Sequence, residues 1–226
     1  MKLRLIEVKG LKFNIRPGSS DEKAIREVVE KNAYEKKYFK IEPGEQWLDL
    51  GGNIGAFAVL ASSKGAKVTT FEPDPTNVKL IKENLALNTL EAIVKNRAVV
   101  HDDTKAATMN LWPDGQSWRN SLVRNKRGTS QMTVFCENAF SLMNPNTCVK
   151  MDIEGSEIPI LEAWPSTLKV KKLVFEYSFD VDPSCARLRA ILTKLKTIFP
   201  TVKYSSQIDR IEEWKFFPPA TMIHCY

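Results

Sequence analysis

The stretch VKMDIEGSE, residues 149–157, alternates apolar and charged side chains. Val149, Met151 and Ile153 share one face of an extended segment, while Lys150, Asp152 and Glu154 share the other. Glu157 follows just past a glycine. Buried charges are costly unless they pair or work. One use is an internal ion pair of Lys150 with Asp152 or Glu154, with Glu157 near a helix N-terminus, where negative charge is favourable. The other is proton removal from a bound hydroxyl, with Asp152 or Glu154 as base and Lys150 tuning the pair. Glu176, in VFEYS at the end of the following strand, can join them. Asp152, Glu154 and Glu176 are also oxygen donors of the kind Mg²⁺ takes. Their spacing is not diagnostic, and neither is the loop cluster His101-Asp102-Asp103, so no metal is expected.

A second constellation is WLDLGGNIG, which ends a strand and opens a helix. Gly51, Gly52 and Gly55 permit a tight turn and close approach of a ligand to the backbone. Glu72 ends the next strand, where a carboxylate can accept two ribose hydroxyls. A dinucleotide fingerprint from Gly51 would need glycines at 53 and 56, where Asn53 and Ala56 stand. The pattern D-x-G-x-x-x-G, from Asp49 through Gly51 to Gly55, suits a nucleoside without a pyrophosphate, with Asp49 placed to meet a cationic group near the loop. Asp74 caps the following helix, Pro75 takes its first position, and Pro73 ends the strand.

The elements that must hold these groups follow an alternating order. LRLIEV and LKFNI read as short strands joined at Lys9-Gly10. Ser19 and Glu22 have capping-box spacing, opening a helix expected to run to about Lys36. QWLDL is a strand, GAFAVLASS a helix, KVTTF a strand, PTNVKLIKENLALN a helix and AIVKNRAVV one or two strands. Such βαβαβ order implies a mostly parallel sheet covered on both faces. Asp102 to Arg127 breaks the pattern as a loop or hairpin insertion. QMTVF, TCVKMDI and KKLVFEYS resume the strands. Ser184 can cap a helix with an apolar stripe from Leu188 to Ile198. EWKFF and TMIHCY, on either side of Pro218-Pro219, read as closing antiparallel strands.

The 226 residues fit one domain spanning 1–226, with N-terminal strands and helix over 1–40 and the core over 41–226. The net charge of +6 favours anionic partners without choosing among them. The longest apolar run is far too short for a bilayer, and the first residues lack the apolar stretch of a signal peptide. Cys136, Cys148, Cys185 and Cys225 show no CxxC spacing. They read as reduced, packed thiols, and the expected location is the cytoplasm, away from membranes.

The segment from Trp47 to Asn88, with FEPDP inside it and followed in order by NRAVV, NSLV and VKMDIEGSEIPIL, resembles the FkbM-type family of class I methyltransferases. The resemblance covers roughly Gln46 to Leu161. It implies a Rossmann-like α/β fold with a mostly parallel seven-stranded sheet, helices on both faces and an antiparallel closing strand. It implies S-adenosylmethionine as cofactor, with methyl transfer usually to a hydroxyl oxygen on a sugar or polyketide. Asp49, Gly51, Asn53 and Gly55 would cradle the methionine and ribose parts. Glu72, with Pro73 beside it, would hold the ribose hydroxyls, and Ala98 would lie near the adenine. Gly52 stands where the family often has alanine, a change expected to be harmless. Displacement at a sulfonium needs an in-line nucleophile, and a protonated alcohol is a poor one, so a base within reach helps.

Methyltransferases acting on nitrogen often carry an Asn-Pro-Pro-aromatic motif where this chain has DIEG, which favours oxygen. In the insertion, Trp112 and Trp118 accompany Arg119, Arg124, Lys126 and Arg127. Aromatic faces stack on sugars and on bases. Asn120 and Ser121 match the family's SL element as acceptor contacts, alongside Trp112, Trp118 and Glu176. Tyr34 and Tyr38 can cover the cofactor or simply pack. The expected acceptor is a sugar or glycan, with RNA second. A nucleoside-binding regulatory subunit without catalysis is the third possibility, and the intact Lys150, Asp152, Glu154 and Glu157 set weighs against it.

Overall fold

The computed structural model describes residues 2–112, 119–124, 130–183, 185–204, 208 and 220–226. Strands β1 (Arg4–Val8) and β2 (Leu11–Ile15) form an antiparallel hairpin. Lys9 and Gly10 turn it with positive φ. Helix α1 (Asp21–Ile25) passes directly into one π-helical turn, Arg26–Glu30. The helix expected to reach Lys36 therefore ends at Glu30, and Asn32 follows at φ 53°. The capping box is absent too. Ser19 Oγ accepts from Asp21 N at 3.2 Å and donates to Arg16 O, while Glu22 pairs with Arg4 and Arg26.

The core then alternates: β3 (Gln46–Leu50), α2 (Ala56–Ser63), β4 (Lys67–Phe71), α3 (Pro75–Leu87) and β5 (Ile93–Lys95). Asp74 caps α3 by accepting from Thr76 N at 2.8 Å, with Pro75 next. AIVKNRAVV splits between two sheets. After β5, strand β6 (Ala98–Val100) joins β7 (Ala106–Leu111) and β8 (Ser130–Asn138) in a separate three-stranded sheet ordered β6-β8-β7. The insertion is thus built on a β7–β8 antiparallel pair. Short α4 (Ala139–Leu142) leads to β9 (Thr147–Met151), α5 (Glu157–Ala163), β10 (Lys172–Ser178), α6 (Cys185–Ile198), β11 (Val202–Lys203) and β12 (Ala220–Cys225).

The main sheet has seven strands in the order β11-β12-β10-β9-β3-β4-β5. β5, β4, β3, β9 and β10 run parallel, and β12 is antiparallel to β10 and β11. The edge strand β11 was not foreseen, while EWKFF, Ser184, Lys126 and Arg127 lie outside the described residues. Every residue of β9 is buried, as both faces of a parallel sheet require. One face packs Leu50, Phe71, Met151 and Phe175 against α5 and α6. The other packs Trp47, Val68 and Val174 against α2, α3 and the N-terminal segment. This mostly parallel sheet with helices on both faces is the Rossmann-like arrangement of a class I methyltransferase. Among the described residues no helix is long and apolar enough to cross a membrane. All four cysteines are free.

Candidate active site

The order in which strands are added to the sheet reverses between the parallel neighbours β3 and β9, and ligands in such folds sit outside the C-terminal ends of those strands. The glycine turn occupies that point. Gly51 N and Gly52 N both donate to Phe71 O, at 3.0 and 2.9 Å. A Cβ on Gly51 would lie 1.9 Å from Asp152 O, so β3 and β9 close on one another only through glycine. Gly55, at φ 91°, instead lets α2 approach Ile81 of α3. Gly52 is itself closely surrounded. A Cβ there would stand 2.2 Å from Thr70 Oγ1 and 3.0 Å from Ile81 Cδ1, so the alanine that the family often has could enter this chain only if Thr70 shifted.

Beneath the turn, Asp49 is fully buried. It accepts from Thr70 Oγ1 at 2.8 Å and pairs with Lys150 Nζ at 3.0 Å. Asp49 and Lys150 are register partners on β3 and β9. Lys150 Nζ also lies 2.6 Å from Gly51 O and 3.4 Å from Leu50 O. The cation that Asp49 meets is therefore supplied by the protein. Burial raises the Asp49 pKa and Lys150 opposes that rise.

Two cavities open above this layer and share Gly51, Asn53, Asp152 and Glu154 as walls. The first brings together Glu72, Pro73 and Ala98 with Arg97 and apolar Phe71 and Met109. Glu72 accepts from Asn53 N at 2.7 Å and Asp74 N at 2.9 Å. Burial outweighs those bonds and pushes its pKa up to about 7. Asn53 Oδ1 and Ser156 Oγ are buried there without a hydrogen-bond partner. A glycine cradle, an acid at the strand end and two unsatisfied polar atoms in an apolar slot fit a nucleoside.

The second cavity holds Tyr34, Asp152, Glu154, Glu176, Arg124 and Lys150 among its walls. Tyr34 OH donates to Asp152 Oδ2 at 2.5 Å, and its ring meets Phe57 edge-on. Glu154 adopts φ 56°, a left-handed conformation uncommon for a side chain of its size. Its carboxylate lies 3.1 Å from the Arg124 guanidinium, which also reaches Asp180 at 2.7 Å. Burial, then the nearby Asp152 charge, raises the Glu154 pKa and pushes Glu176 up to about 9. Glu157 is placed differently. Its two oxygens accept from Ile153 N and Gly155 N, so it braces the turn and lines neither cavity, and burial pushes its pKa up to about 7.

The insertion meets this site through side chains that its own backbone holds in place. Ser121 Oγ donates to Glu154 O at 2.6 Å and accepts from Val123 N and Arg124 N. Asn120 accepts from Trp112 N and donates to Asp74, beside the first cavity. The Arg119 guanidinium lies 5.4 Å from the Trp112 ring. Trp118 lies outside the described residues. Tyr38 is exposed and stacks on Tyr226. Among the described residues no group of three or more His, Cys, Asp or Glu side chains is arranged to hold a metal ion.

Tyr34, Arg124 and Ser156 were not assigned to the reacting groups or the nucleoside slot from sequence. Tyr34 lies 118 positions before its partner Asp152, and no local motif marks it.

The Methyltransferase FkbM domain matches residues 49–199, well over half the chain. No curated protein sequence matches. Among solved structures, P. horikoshii TYW2 in complex with MeSAdo is 14% identical with a TM-score of 0.48, over 99% of this chain and 69% of that one. The Pyrococcus abyssi tRNA (uracil-54, C5)-methyltransferase in complex with S-adenosyl-L-homocysteine is 13% identical with a TM-score of 0.46, over 100% and 44%. The M. jannaschii tRNA m1G37 methyltransferase is 13% identical with a TM-score of 0.45, over 99% and 55%. The expected order of acceptors, sugar or glycan first and nucleic acid second, is corrected by these comparisons. Several of the matching structures are named as RNA methyltransferases, one as a precorrin-6y C5,15-methyltransferase and none for a sugar or glycan acceptor, and the sugar or glycan partner is withdrawn. With the sheet order, the glycine turn and the domain match together, the chain belongs to the FkbM-type family of S-adenosylmethionine-dependent methyltransferases.

Proposed function

We propose that the chain methylates a hydroxyl oxygen of RNA, the ribose 2′-hydroxyl, with Asp152 accepting the proton. The observation that carries this reading is the place of Asp152, which lines both cavities and is only partly buried. One of its oxygens is held by Tyr34. A base at the junction of a nucleoside slot and a second cleft stands where an acceptor oxygen must be deprotonated in line with a donor. Gly51, Asn53, Pro73, Ala98 and Ser156 form the slot for S-adenosylmethionine, and Glu72 takes its ribose hydroxyls. When bound, that cofactor supplies an electrophilic methyl group on sulfur.

Charge supports a polyanionic acceptor. The chain carries +6 overall, and Lys23, Arg119 and Arg124 line the second cleft. The same cleft is lined by the carboxylates Glu27, Asp152, Glu154, Glu176 and Asp180, and Arg124 is already paired with two of them. Phosphates are repelled from those carboxylates, while a neutral hydroxyl donor can enter. DIEG in place of an Asn-Pro-Pro-aromatic motif favours oxygen over nitrogen.

The test is transfer of a radiolabelled methyl group to RNA and to DNA of the same sequence. Label in RNA at positions that resist alkaline cleavage, with none in DNA, is the expected result. Equal labelling of DNA, or label in the bases, overturns the 2′-hydroxyl assignment. Asp152→Asn should abolish transfer while binding S-adenosylhomocysteine normally, and full turnover by that variant removes Asp152 from the role of base.

A further inference from the structure

Lys150 lies in the charged row of the motif, yet its ammonium group does not point along that row. The Nζ atom is within 3.0 Å of Asp49 Oδ1, 2.6 Å of Gly51 O and 3.4 Å of Leu50 O. An ammonium group has three N–H donors, and three acceptors surround it. The residue is 3% exposed, and the Tyr34 ring covers it with its centroid 5.3 Å from Nζ. Asp49 is held in turn by Thr70 from β4.

From these contacts we infer that Lys150 is a positioning residue for the cofactor. It staples the carbonyl of Gly51 so that the glycine turn is set before any ligand arrives. Gly51 is gripped from three strands. β3 leads into it, β4 accepts its N–H through Phe71 O, and β9 holds its carbonyl through Lys150. A free peptide at φ 88° next to a second glycine, Gly52, has several accessible conformations, and ordering it on binding would cost affinity. Asp49 has a matching duty. It balances the buried ammonium and fixes its direction, and it lines neither cavity. The pair thus acts on the cofactor through the backbone, and the inference does not depend on the identity of the acceptor.

The test uses S-adenosylhomocysteine as probe, with the full chain. Lys150→Met removes the donor but strands the Asp49 charge, so the double variant Asp49→Asn with Lys150→Met is measured beside it. Removing both charges of a buried pair is far gentler on stability than removing one. The double variant should melt near the wild-type temperature and still bind the probe at least about tenfold more weakly, because Gly51 O has lost its donor. Wild-type affinity in the double variant would show that only charge balance mattered and would overturn the inference. A readout on the unaltered chain tests the premise that the turn is set before ligand arrives, even if neither variant folds. Amide hydrogen exchange at Gly51 and Gly52 should be slow before ligand is added and change little on binding. Fast exchange that slows only with the probe would mean the turn is set by the ligand, and the inference would fall.

Discussion

If Glu72 holds the cofactor's ribose as proposed, cofactor affinity should depend on pH. The Glu72 carboxylate is buried, and its pKa rises to about 7 despite the Asn53 and Asp74 N–H groups. Two ribose hydroxyls donating to it need the ionised form. Binding then shifts the carboxylate towards its charged state and releases a proton. If only the ionised form binds, the competent fraction is about nine-tenths at pH 8, about half at pH 7 and about one-tenth at pH 6. Affinity for S-adenosylhomocysteine should therefore fall roughly tenfold from pH 8 to pH 6. Calorimetry at pH 7 in two buffers of different ionisation enthalpy should show release of about half a proton per ligand. Glu72→Gln should bind more weakly and lose the pH dependence. Glu157 also titrates near 7, but both its oxygens face backbone N–H groups of its own turn, so the same experiment on Glu157→Gln should keep the slope. A flat pH profile for the native chain, or an unchanged slope in Glu72→Gln, refutes the ribose assignment.

Gly52→Ala should lower stability by about 1–3 kcal/mol, read as a fall in melting temperature, because its Cβ displaces the Thr70 hydroxyl from Asp49. Wild-type melting would show that Thr70 yields freely. Glu157→Gln turns an amide N–H₂ towards one of two backbone N–H groups and should cost about 1–3 kcal/mol in the same assay. Tyr34→Phe keeps the ring against Phe57 but removes the bond to Asp152. RNA methylation should slow by about 10- to 100-fold at unchanged cofactor affinity, and an equal loss in both would assign Tyr34 to packing alone. Without ligand, stability should rise as pH falls from about 9 towards 5. Glu72, Glu157 and Glu176 all have folded pKa values raised above the ordinary 4.5, so the folded state binds more protons there. Chemical denaturation at stepped pH measures it, and a stability that rises with pH across that window would contradict the burial of these acids.

What could be read from the sequence was what local spacing encodes. The βαβαβ order, the turn at Gly51, the acid at Glu72 and the cap at Asp74 each depend on residues close together in the chain. Partners brought together by the sheet were not legible. Lys150 was read beside Asp152 and Glu154 because they are neighbours in sequence, yet its hydrogen bonds go to the adjacent strand. Tyr34 reaches Asp152 from the N-terminal segment, outside the matched family domain. The helix ending early at Glu30 follows a π-helical turn that periodicity does not distinguish from an α-helix over so few residues. The acceptor order failed for a different reason. Tryptophans among arginines serve sugars and nucleobases alike, so composition could not rank them.

The pairing of β3 with β9 also shapes how the chain reaches its native state. Lys150 and Gly51 are 99 positions apart, and the strands that carry them lie side by side at the centre of the sheet. β3, β4 and β5 with their helices can assemble from near neighbours. Closing the long loop to β9 is expected to be the slower event, since its contacts are the less local ones. Neither half owns a complete slot, because Glu72 belongs to one and Asp152 to the other. With the proposed slot, the cofactor recognises only the finished sheet, and its binding free energy should add to the stability of that state alone.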